Sequence, residues 1–236
     1  MATLFPFTEA QTNHDVGPAE QFLNEIAKKG DVDMGTSIMA STFNGGVILG
    51  ADSRTSTGSY IANRLSDKIT KLVSNIYVCR SGSSADTQTI SDYVRYFLDS
   101  HSIEIDEQPL VQTGAQLLRN LSYDHRDDLS TSFICAGVDK TGPHIFSIPL
   151  GAPIVEQPFA IGGSGSTYIY GYCDRHFKEN MSKEECVEFI TQGLSLAMSR
   201  DGSSGGIIRL CILTNDGKVE RRVISHHDIP KFFDKM

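Results

Sequence analysis

The sequence predicts an α+β protein of four layers: two antiparallel sheets stacked face to face, with helices covering both outer sides. Three observations predict it. The apolar segments come in blocks, as strands, two helices, strands, two helices and strands, an order that suits α+β layering rather than alternating βαβ units. The helical stretches carry apolar residues at helical spacing (Ile90, Tyr93, Val94 and Phe97 in one; Leu110, Ala115, Leu117, Leu118 and Leu121 in the next), so each has a face to bury. Glycine turns between apolar strands, Asn44-Gly45-Gly46 and Asn215-Asp216-Gly217, are hairpin signals and imply antiparallel pairing.

Taken in order, residues 1–35 show no sustained periodicity apart from a short helical pattern over Ala19–Lys29, and read as a loosely ordered arm. Thr36–Phe43 and Val47–Ala51 form the first hairpin. Tyr60–Arg64 and Ile69–Lys71 are short extended pieces, and Ile76–Arg80 is an apolar strand closed by Ser81-Gly82-Ser83. Helices follow over Ala85–His101 and around Leu110–Leu121. Strands return at Ser132–Val138, His144–Pro149 and Val155–Ile161. Helices come next at Ser166–Phe177 and Ser182–Arg200, the latter opened by Ser182-Lys183-Glu184-Glu185, a capping-box pattern. Strands Gly206–Thr214 and Lys218–Ile224 close the chain.

Composition narrows the function. The 236 residues suit one domain, or two small ones, with a sizeable core. A formal charge of −8 argues against a nucleic-acid or anionic-membrane surface. The five cysteines (Cys79, Cys135, Cys173, Cys186, Cys211) form no CxxC pair, and read as reduced core thiols of a cytosolic or nuclear protein. The N-terminus lacks the basic and apolar regions of a secretory signal, and no apolar run approaches the ~18 residues of a membrane span. The expectation is a soluble intracellular protein.

Four stretches carry the functional signal: Met34-Gly35-Thr36-Ser37-Ile38-Met39-Ala40, Ala51-Asp52-Ser53-Arg54, Ser66-Asp67-Lys68-Ile69-Thr70 and Arg200-Asp201-Gly202-Ser203-Ser204-Gly205-Gly206. Singly, each has a plain reading as a strand start, solvated charges or a turn. In this order, and joined by Gly58-Ser59-Tyr60-Ile61-Ala62-Asn63-Arg64, Cys79-Arg80-Ser81-Gly82-Ser83 and Ile161-Gly162-Gly163-Ser164-Gly165-Ser166-Thr167, they resemble the catalytic beta subunits of the eukaryotic 20S proteasome. The resemblance is to the caspase-like type with its propeptide still attached. It runs from Gly35 to about Ile229, and implies the four-layer αββα fold of N-terminal-nucleophile hydrolases. It also implies a propeptide over 1–35 and a catalytic domain over 36–236.

The resemblance makes Thr36 the nucleophile, freed by autocatalytic cleavage at Gly35-Thr36. The chemistry is coherent. A threonine hydroxyl needs a base, and the cut creates an α-amine of pKa about 7.7–8 on the same residue, able to take that proton through a water. Before the cut the nitrogen is an amide without basicity, so the precursor is inactive. Gly35 has no side chain to obstruct the attack and tolerates the unusual backbone angles the approach would require. Lys68 is implied to tune the threonine electrostatically, with Asp52 orienting it. Ser164, Asp201 and Ser204 hold the amine and the water. Gly82 offers its N–H to the oxyanion, a donor worth ~3 kcal/mol of barrier. Arg80, at a strand end beside the scissile bond, would recognise a carboxylate by paired hydrogen bonds, which predicts cleavage after Asp or Glu. The related inducible form lacks that arginine. Thr55 and Thr57 are expected to line the same channel.

The implied partners are other beta subunits in a seven-membered ring, alpha-ring subunits, the opposite beta ring and unfolded polypeptide substrates, in cytoplasm and nucleus, with no cofactor and no metal. Two rivals stand beside this reading: a small-molecule amidase with the same threonine logic, and a structural ring subunit with a dead site. The glycine-rich loop at Gly162 lacks the P-loop lysine and the third glycine of a dinucleotide fingerprint. His226-His227 has no third ligand at metal spacing. Ser37, Ser66 and Ser84 depart from common family residues without removing a catalytic group.

Overall fold

The computed structural model describes residues 35–57, 60–151 and 153–232, without the side chain of Thr57. The arm over 1–34, and with it the expected helix at Ala19–Lys29, lies outside them.

Period-two patterning builds the layers. Strands β1 (Ile38–Phe43) and β2 (Gly46–Ala51) form the first hairpin. They sit in a five-stranded antiparallel sheet, β10-β1-β2-β11-β12, whose other members are β10 (Phe159–Gly162), β11 (Ile208–Thr214) and β12 (Val219–Ile224). The second sheet, β5-β6-β7-β8-β9, holds β5 (Ile69–Val73), β6 (Ile76–Gly82), β7 (Thr131–Asp139), β8 (Gly142–Ile148) and β9 (Val155–Glu156). Ile38, Ala40, Leu49 and Cys211 of the first sheet meet Tyr77, Cys79, Ile134 and Ala136 of the second in the central core. The residues between them on each strand face the opposite way, as strand geometry requires. Val78, Phe133 and Cys135 pack under α1 (Ser84–Ile105) and α2 (Val111–Asp124), while Met39, Ile48, Leu210 and Ile212 pack under α3 (Tyr170–His176) and α4 (Lys183–Arg200). Each fully buried Leu or Ile contributes about 1.5–3 kcal/mol, so the three apolar layers dominate stability. The predicted αββα sandwich is the observed one.

Three expectations need correction. Val155–Ile161 is not one strand: β9 pairs with β8 and β10 pairs with β1, so the segment passes from one sheet to the other. Pro158, which has no N–H for a ladder, lies at the crossing. The helix expected over Ser166–Phe177 is a 3₁₀ turn, Ser164–Tyr168, followed by α3, with Ile169 between them. A small ribbon of β3 (Thr55–Thr57) and β4 (Tyr60–Asn63) was foreseen only in its second half.

The capping box is present. Glu185 N–H donates to Ser182 Oγ, and Ser182 N–H to the Glu185 carboxylate. All five cysteines are buried and free. Among the described residues no helix is long and apolar enough to cross a membrane.

Candidate active site

The fold brings four separated segments to one end of the sandwich. Thr36 precedes β1, Asp52 follows β2, Lys68 precedes β5, and Asp201 caps the C-terminus of α4. Thr36 is only 3% exposed and Asp52 is fully buried. Lys68 Nζ donates to Asp52 Oδ1 at 2.7 Å, to Thr36 Oγ1 at 3.1 Å and to the Gly35 carbonyl at 3.1 Å. An ammonium has three protons and no lone pair, and here each proton has an acceptor. Burial pulls the Lys68 ammonium below the usual lysine value, and the Asp52 carboxylate opposes that pull. Asp52 is held by backbone N–H groups as well. Its Oδ1 accepts from Ser37 at 3.0 Å, and its Oδ2 from Gly205 at 3.0 Å and Arg54 at 3.2 Å.

A second network holds the Thr36 nitrogen. Thr36 N–H donates to Ser164 Oγ at 3.1 Å, and Ser164 Oγ donates to Asp201 Oδ2 at 2.7 Å. Ser204 Oγ donates to the same oxygen, and Ser37 Oγ donates to Ser204 Oγ at 2.8 Å. The glycine loop that mimics a phosphate site instead backs Thr36. Gly165 N–H donates to Thr36 O at 3.1 Å, and Gly163, at φ +82°, approaches so closely that a Cβ there would lie 2.1 Å from the same oxygen. Only glycine fits both the angle and the space.

The chain matches the family described as "Proteasome subunit" over residues 32–213. The chain belongs to the proteasome subunit family. Its relatives include the proteasome subunit beta type-6 of Dictyostelium discoideum, 57% identical across 86% of this chain and 95% of that one. The proteasome subunit beta type-1 of Saccharomyces cerevisiae is 53% identical across 83% and 91%, and the human beta type-9 is 48% identical across 89% and 96%. As a beta-type member, this chain is a threonine-type peptide hydrolase subunit.

In this beta subunit a cavity of about 80 Å³ opens at Thr36, lined by Gly35, Thr55, Lys68, Arg80 and Gly82 among others. Arg80 Nη2 donates to Asp67 O at 3.0 Å, while its Nε is buried without a protein partner. Burial lowers the guanidinium from its ordinary value, and Asp67 and Asp92 work the other way. Gly82 has φ +102°, and a Cβ there would meet Ser130 O at 2.3 Å. Strand alternation puts its N–H on the same edge of β6 as that of Arg80, which bonds Lys68 O at 3.0 Å. That edge faces the segment of Lys68, which also lines the cavity.

Of the sequence-predicted residues, Gly35, Thr36, Thr55, Lys68, Arg80 and Gly82 line the cavity, and Asp52, Ser164, Asp201 and Ser204 stand behind it. Thr57 pairs with Tyr60 through its backbone, and its side chain lies outside the described residues. At Gly35 the geometry adds a reason to have no side chain: a Cβ there would lie 1.8 Å from Ser203 Cβ. Sequence reasoning missed Ser37 and Arg54. Arg54 Nη1 donates to Gly202 O at 2.9 Å and its guanidinium lies against Gly205, clamping the turn that carries Asp201 and Ser204. Arg54 stood inside a quoted motif; its contact, 148 residues away, left no local mark. Among the described residues no cluster of three or more His, Cys, Asp or Glu could hold a metal ion.

Proposed function

We propose that this chain cuts its own Gly35–Thr36 bond and that Thr36 then serves as nucleophile for peptide cleavage after acidic residues. In that reading, residues 1–35 are a propeptide and 36–236 the catalytic domain. The single observation that carries it is the position of Lys68 Nζ, 3.1 Å from both the Thr36 hydroxyl and the Gly35 carbonyl oxygen. A cation there favours charge on that carbonyl as the hydroxyl attacks. The C–N bond then breaks, the hydroxyl proton ends on the departing nitrogen, and water hydrolyses the resulting ester. The freed amine inherits its neighbours, Ser164 and through it Asp201. It becomes the base that takes the Thr36 proton in each later turnover. Gly82 N–H receives the oxyanion of the substrate.

Support for the acidic preference is Arg80. The residue lines the cavity with Thr36, and a guanidinium has five N–H donors, of which Nη2 gives one to Asp67 O, so the group can also receive a substrate carboxylate. Exposed aromatic and aliphatic residues, Tyr96, Ile103, Tyr168 and Tyr170, support assembly with other subunits. The arrangement we propose is a seven-membered beta ring between an alpha ring and a second beta ring, degrading unfolded polypeptides in cytoplasm and nucleus.

The test is Thr36→Ala in the assembled particle. Cleavage after Asp and Glu by this subunit should vanish; if it persists, the catalytic reading is wrong.

A further inference from the structure

Lys68 is carried by a strap, residues 65–69, and only its last residue lies in a strand. Irregular backbone must find other partners for its carbonyls, and here arginines supply them. Arg209 of β11 donates from Nη2 to Leu65 O at 2.8 Å and from Nε to Ser66 O at 3.1 Å. Arg80 of β6 donates from Nη2 to Asp67 O and from its backbone N–H to Lys68 O, both at 3.0 Å. Arg221 of β12 donates from Nη2 to Ile69 O at 3.0 Å. Five successive carbonyls are therefore taken by three arginines. Two of those arginines come from one hairpin of the opposite sheet.

The aim of Arg221 is itself fixed. Its guanidinium lies 5.4 Å from the centre of the Tyr77 ring, and Nη1 is 3.6 Å from Asp67 Oδ2. That ion pair is half-exposed and weak alone. The guanidinium fork gains from being pre-organised, so little freedom is lost per hydrogen bond. The strap is also tied on its other side, where Ser66 N–H and Oγ both donate to Ser53 O.

We propose that Arg209 and Arg221 are positioning residues for Lys68 and, through the Asp67 carbonyl, for the Arg80 guanidinium. Neither touches Thr36. The hairpin of one sheet thereby sets the register of the catalytic cation and of the specificity residue, which both hang from the other. The inference rests on the reading of Lys68 given above, since it matters only if Lys68 acts on Thr36.

The experiment places Arg209→Met, Arg209→Lys, Arg221→Met and Lys68→Ala in the assembled particle. For each, kcat and KM are measured on peptides with Asp or Asn before the scissile bond. A displacement of about 1 Å can cost on the order of 100-fold, so a partial loosening by Arg209→Met should lower kcat about tenfold with KM little changed. Arg209→Lys, which keeps one donor, should recover part of that loss. Arg221→Met should narrow the Asp-over-Asn preference several-fold. Wild-type kcat and preference in assembled Arg209→Met and Arg221→Met, with Lys68→Ala inactive, would overturn the inference and leave the reading of Lys68 intact. If Arg209→Met is not incorporated, Arg209→Lys and Arg221→Met decide it on the same terms. An active Lys68→Ala would overturn both readings.

Discussion

Two lysine–carboxylate pairs in this molecule have nearly the same length and opposite meanings. Lys68 meets Asp52 at 2.7 Å, with side chains 10% and 0% exposed, whereas Lys140 meets Glu107 at 2.8 Å, with side chains 67% and 60% exposed. At Lys140, water and salt screen the attraction, and the pair does little. At Lys68, burying two charges costs several kcal/mol each, by order of magnitude, and is sustained only when every donor and acceptor is filled. Asp52 has three backbone N–H partners besides the lysine, and Lys68 has Thr36 and Gly35 besides the aspartate. Distance alone would not separate the two pairs. Burial and the list of partners do, and they fit the role proposed for Lys68 beside Thr36.

The largest expected effect breaks the buried pair. Lys68→Met leaves the Asp52 carboxylate buried without its cation, which costs about 3–5 kcal/mol, and removes a donor worth about 10²–10³ in kcat. The double variant Asp52→Asn, Lys68→Met should recover thermal resistance but no activity. Recovery of both would mean the pair is structural only. Next comes Arg80→Met, which should lower cleavage after Asp by about 10- to 100-fold, the value of a hydrogen bond to a charged group. Cleavage after neutral residues should survive, and an unchanged preference would remove Arg80 from the pocket.

A smaller effect separates stability from activity by pH. Because burial lowers the Lys68 value in the folded chain, the unfolded chain holds more protons in the window just below the ordinary 10.5. Its contribution to stability therefore rises with pH across that window. Activity should fall over the same window as the ammonium is lost, after an acid limb near 7.7–8 set by the terminal amine. Parallel rather than opposite trends in thermal unfolding and kcat would contradict the assignment. The smallest effect is at the comparison pair, where Lys140→Ala should change neither thermal unfolding nor kcat measurably.

The layers were legible because each obeys one period. The alternation in β6 and β7 and the spacing in α1 and α2 need only local sequence. The crossing at Pro158 was not legible, since Val155–Ile161 reads as one extended run and the partners that divide it, β8 and β1, are remote. The ribbon at Thr55–Thr57 was missed because it carries no apolar pattern. Within the site, the charged and hydroxyl residues were readable from their motifs. Arg54, Arg209 and Arg221 were not, since each acts on backbone between 143 and 152 residues away, and an arginine that caps a carbonyl has the same one-letter code as one that faces solvent. The close approach of Ser203 to Gly35 was likewise not legible, since the two residues are remote in sequence.

The most direct measurement is the N-terminal sequence and mass of this chain taken from the assembled, active particle. The account predicts a chain beginning at Thr36, its amine free beside Ser164. A chain that still carries Gly35 and the residues before it, in a particle where this subunit cleaves after acidic residues, would contradict it.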